Sequence, residues 1–177
     1  MRAFTGLATA ACALTLATSV QAQTLSPSSM LQLETLPEGG RWAELMSSDD
    51  AIYFLQWPPV RDGATTIGVL YKVFAEAQPV GDALLTDVII ARGARCGSNT
   101  VADLGIIGFD KDGKRVAAYP AAGGFESVAD SPGEAIILEA LCDPALQFAD
   151  DALMTLGDAQ EEAEYYFIGQ ILERSGK

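Results

Sequence analysis

Thr65-Thr66-Ile67-Gly68-Val69-Leu70-Tyr71-Lys72-Val73-Phe74 is the stretch on which the fold turns. β-Branched and aromatic residues crowd it, as they do in strands. Ile67, Val69, Tyr71 and Val73 alternate onto one face, and Leu70 and Phe74 join Lys72 on the other. A strand that is apolar on both sides belongs at the centre of a sheet.

Working toward the N-terminus, residues 51–57 (AIYFLQW) read as a strand that Pro58-Pro59 stops or turns into an edge. Residues 42–46 form a shorter candidate, closed by the turn Ser47-Ser48-Asp49-Asp50. Residues 23–40 are a leader, interrupted by Ser26-Pro27-Ser28-Ser29 and Pro37-Glu38-Gly39-Gly40, with a short helix or strand over 30–36. Toward the C-terminus, residues 87–96 are a strand. Val88, Ile90, Arg92, Ala94 and Cys96 share one of its faces if Gly93 makes no bulge. Apolar runs at 101–109 and 114–119 flank Asp110-Lys111-Asp112-Gly113, which predicts a β-hairpin.

The period then changes from two to 3.6. Ser131-Pro132-Gly133-Glu134 is a capping box with proline at the first helical position. Ile137, Ala140 and Leu141 follow as an apolar stripe, and Cys142 stands at the helix end. Beyond Asp143-Pro144, residues 145–156 are expected to form one helix ended by Gly157. Asp158 and Glu161 open another over 159–174, with Ala163, Phe167 and Ile171 on one side. Its acids cluster at the positive end and Arg174 and Lys177 near the negative end.

The chain has 177 residues, enough for one domain with a real core. Its 24 acids against 11 bases give a net charge of −13. That balance argues against binding nucleic acid, which needs Lys and Arg on phosphates, and against docking on anionic lipid. There is no histidine, which removes Ser-His-Asp and Cys-His nucleophiles and histidine metal cages together. No enzyme activity and no cofactor are expected.

Residues 1–22 read as a secretory signal peptide. Arg2 supplies the positive start, an uncharged Ala/Leu/Thr run follows, and Val20-Gln21-Ala22 fits a cleavage site before Gln23. An uncleaved anchor, or a lipoprotein modified at Cys12, are the competing readings; Thr9 departs from the lipoprotein pattern. Cleavage removes one base and Cys12, leaving no transmembrane segment and the pair Cys96 and Cys142 in an oxidising compartment. A disulfide is the expected state. A redox pair or metal site fits less well, with no C-x-x-C and no third ligand.

Other constellations read more simply as structure. The neighbouring acids Asp49-Asp50, Asp150-Asp151 and Glu161-Glu162 diverge in strands and helices, so they read as caps and solvated faces. Asp110-Lys111-Asp112-Gly113-Lys114 begins like a calcium loop, but its glycine comes early and a lysine stands where an oxygen ligand is needed. Trp57-Pro58-Pro59 either presents a flat aromatic or blunts an edge strand. Lys111, Lys114 and Arg115 gather scarce positive charge at one hairpin tip, a candidate contact for an acidic partner.

Taken in order, Trp42-Ala43-Glu44-Leu45, Tyr53-Phe54-Leu55, the two-sided strand, the strand ending at Cys96, Phe109-Asp110, and Ser131-Pro132-Gly133-Glu134 leading to Cys142 resemble the surface-adhesin protein E family of Gram-negative bacteria. The resemblance covers about 41–143. It implies an α+β fold: a six-stranded antiparallel sheet with a helix on one face, held there by the disulfide. It also implies an exported protein of the periplasm or outer-membrane surface, often dimeric, that binds other proteins. The expected organisation is a signal peptide (1–22), a leader (23–40), the adhesin-like domain (41–143) and an acidic helical tail (144–177). A non-enzymatic macromolecule-binding module is the first functional expectation. A periplasmic structural or small-ligand-binding domain is the second.

Overall fold

An antiparallel sheet organises the chain in a computed structural model that describes residues 25–175 apart from 38, 122, 129–130 and 144. The expected signal segment, the cleavage site at Ala22 and Gln23, and Cys12 lie outside the described residues. In chain order the elements are α1 (Pro27–Met30), β1 (Trp42–Ser47), β2 (Ala51–Gln56), β3 (Val60–Asp62), β4 (Thr65–Val80), β5 (Ala83–Arg95), β6 (Thr100–Phe109), β7 (Arg115–Pro120), β8 (Glu126–Ser127), α2 (Pro132–Cys142) and α3 (Leu156–Arg174). Six strands form an open sheet in the order β1-β2-β4-β5-β6-β7. The short β3 pairs with β4, and β8 with β6.

β4 is central, as its two-sided pattern requires. β2 pairs on one side (Phe54 with Tyr71) and β5 on the other (Leu70 with Ile90). Alternation sends Val69 and Tyr71 into one core with Trp42, Phe54, Ile89 and Phe109. Leu70 enters a second core with Leu55, Ala94, Ile137 and Leu141. The sheet therefore separates two cores. Pro58-Pro59 ends β2, and pairing along β4 resumes at Val60.

Several boundaries differ from expectation. β4 continues to Val80 and returns as β5 from Ala83. β5 ends at Arg95, so Cys96 opens a 3-10 turn, Cys96–Ser98, instead of finishing the strand. The register slip falls in the partner: Ala91 faces Gly105 and Arg92 faces Asp103, leaving Leu104 as the extra residue of β6. Ile90, Arg92 and Ala94 thus keep one face, that of α2.

α2 starts at the expected cap, with the Ser131 hydroxyl accepting from the Glu134 N–H at 3.4 Å. The reciprocal half of the box is not made. The Ser131 N–H donates to the Val128 carbonyl at 3.1 Å, and the Glu134 carboxylate pairs with Arg92. Gly68 lets this helix reach the sheet, since a Cβ there would stand 2.4 Å from the Leu141 side chain. At its end Cys142 bonds Cys96, with Cα atoms 5.4 Å apart and a sequence separation of 46.

The C-terminal region forms one long helix, not two. Residues 145–154 form no α-helix, only a single 3-10 turn at Asp150–Ala152. Backbone bonds between Trp42 and Met154 (2.9 and 2.8 Å) and the Trp57–Phe148 ring contact at 5.1 Å hold this segment against the sheet. These long-range contacts outweigh local helix propensity. Thr155 caps α3 and forms a reciprocal box with Asp158, and Gly157 lies inside the first turn instead of ending a helix. Leu156, Ala159 and Ala163 are buried in the first core beside Met30, with Leu31, Leu33 and Leu36 of the leader packed around it. Leader and tail thus cover the sheet face opposite α2. No helix among the described residues is long and apolar enough to cross a membrane.

Candidate functional site

The anticipated contact tip is a tight turn. The Asp110 carboxylate accepts from the N–H groups of Asp112 and Lys114 at 3.0 and 2.9 Å, and Gly113 takes φ 70°. Its three cations are drawn to different places. Lys111 pairs with Asp112 at 2.7 Å. Lys114 bridges to Thr35 through its backbone. Arg115 pairs with Glu34 and donates to the Leu31 carbonyl at 3.4 Å, which fastens the leader to the hairpin. Trp57 is half-buried against Phe148.

A groove of about 340 Å³ opens between α3 and the irregular middle of β4, where β4 carries extra residues between Val73 and Gln78. Its walls are apolar, with Phe74 on one side and Phe167 and Ile171 of α3 on the other. Asp87 from β5, Glu164 from α3 and Lys111 of the β6–β7 turn also line it. Asp87 is 5% exposed. The Thr86 hydroxyl donates to it at 3.1 Å. Loss of water pushes its carboxyl up to about 6; the hydroxyls of Thr86 and Tyr71, facing the carboxylate, oppose that, and Asp110 and Glu164 add to it. Burial also pushes the Tyr71 phenol up, and the Asp87 charge acts in the same direction. The Tyr71 hydroxyl is buried facing Asp87 and Gln160.

On the other face, Arg92 joins Asp103 of β6 to Glu134 of α2. Its side chain is 12% exposed and pairs with both carboxylates, so it ties the first turn of α2 to the sheet, while the disulfide ties its last residue.

The outward side of α3 carries large apolar residues in the open. Tyr165 is 66% exposed, Ile168 52% and Leu172 48%, at the i, i+3, i+7 spacing of one helix face. The expected stripe of Ala163, Phe167 and Ile171 divides: Ala163 is buried, Phe167 packs at the core margin and Ile171 is 65% exposed beside the groove. Sequence reasoning passed over both Asp87 and the outward row. An acid placed directly before the apolar run Val88-Ile89-Ile90-Ala91 was the available signal for the first.

No protein-family model matches the chain, and no curated protein or solved structure is similar enough to show kinship.

Proposed function

We propose that this chain is an exported, non-enzymatic module of the bacterial envelope that binds another protein, an adhesin-like role of the kind its resemblance to the surface-adhesin protein E family implies. The observation that carries the reading is the outward row of α3: Tyr165, Ile168 and Leu172 stand exposed on a helix whose inner side is already spent on the core. Exposed apolar rows with polar surroundings are the usual mark of a protein contact. Glu161 and Glu162, at the start of the same helix, would favour a partner with basic residues beside its apolar anchors. The Cys96–Cys142 bond suits an oxidising compartment. The hairpin tip is the weaker contact surface, because Arg115 and Lys111 already have acidic partners.

A comparative pull-down tests this, from envelope extract and from serum. Tyr165→Glu/Leu172→Glu changes only exposed positions and should lose the captured protein. Lys111→Glu/Lys114→Glu/Arg115→Glu should retain it. A protein captured equally by wild type and the α3 variant, or lost only with the tip variant, overturns the assignment to α3.

A further inference from the structure

We infer that the groove beneath α3 binds a small organic cation with an apolar body, of the alkyl- or arylalkyl-ammonium class. Four observations converge there, and none depends on protein binding at the outward row. The groove is of small-ligand size, about 340 Å³. Its walls offer Phe74, Phe167 and Ile171 to an apolar body. Asp87, almost wholly buried, and Glu164 both line it, while Lys111, the one lining cation among the described residues, is paired with Asp112. The Tyr71 hydroxyl, fully buried, faces the same carboxylate and favours its ionised form. An ammonium in the groove would offset the charge of the ionised Asp87 and of Glu164. An anionic ligand would meet Asp87 and Glu164 with like charge, and a neutral one would leave the buried carboxyl uncompensated.

The groups facing Asp87 are Tyr71 from β4, Thr86 from β5, Asp110 and Lys111 from the β6–β7 turn, and Gln160 and Glu164 from α3. Among them Asp87 is the one whose titration is placed near 6, so acid should protonate the site and weaken binding of the cation. Below that point the affinity should fall about tenfold per pH unit.

The test is calorimetric titration of the full chain with 2-phenylethylammonium, with 2-phenylethanol and 3-phenylpropanoate as neutral and anionic counterparts, at about pH 7.5 and about pH 5. The cation should bind at least tenfold more tightly than the alcohol, the anion should not bind, and the cation's affinity should drop at the lower pH. Asp87→Asn should abolish the preference for the cation. Glu164→Gln, at an exposed position that spares the fold, should weaken the cation several-fold and leave the alcohol unchanged. Tyr165→Glu/Leu172→Glu should leave binding of the cation intact, which separates this site from the protein contact. Equal binding of cation and alcohol, no binding of the cation, or a Glu164→Gln variant with unaltered preference overturns the inference.

Discussion

At Asp87 a carboxyl group sits under α3 with its titration pushed up to about 6, chiefly by loss of water. The unfolded chain releases that proton near 3.8. The folded state therefore binds the proton more tightly, so this group's contribution to stability is fully present below the unfolded value. It is lost as pH rises toward about 6. Acidifying from about pH 7 to about pH 5 should stabilise the wild type by about 1 kcal/mol relative to Asp87→Asn, read from urea unfolding. An identical pH slope in the two proteins would contradict this. Gly68 makes a steric case at the same scale. Gly68→Ala would press on Leu141 and should cost about 1–3 kcal/mol. Gly97→Ala, with nothing near its Cβ position, should be close to neutral by thermal unfolding. An acid before an apolar run marks Asp87 in sequence but does not show its partners, and nothing near Gly68 marks its role, because Tyr71, Glu164 and Leu141 meet them only through the tertiary fold.

Elements were legible where the signal was local. Asp110 to Gly113 specify a turn by their own backbone preferences, and Ser131-Pro132 starts a helix with its own hydroxyl. Glu134 was misread because Arg92, distant in sequence, competes for its carboxylate. Residues 145–154 were misread for the same kind of reason: Trp42 and Trp57 recruit Met154 and Phe148 and draw the segment out along the sheet. The disulfide was legible from the cysteine count alone once a signal peptide was inferred. Cys142→Ser should cost about 2–5 kcal/mol. Reductant should lower the melting temperature of the wild type and leave that of the variant unchanged. A wild type insensitive to reductant would mean the bond does not hold α2 to the sheet.

Viewed whole, the molecule is a sheet with two covered faces, and the coverings differ in kind. α2 is held by a covalent bond and by Arg92, which pairs with both Asp103 and Glu134. α3 rests on alanines and a leucine, and its far side remains apolar and open. The expectation of a helix on one face captured the first half of this design, and α3 with the leader supplies the second. The outward row could not be separated from the buried one by sequence, since apolar residues occur on both sides of α3 and only the packing of Ala159 and Ala163 decides which side faces the core. Protein binding through that row is most directly tested by a photoreactive amino acid placed at Tyr165, with a second protein carrying it at Ser98 beyond the end of β5. Illumination in envelope extract should crosslink one discrete partner polypeptide from position 165 and none from position 98. The same products from both positions, or none from 165, would contradict it.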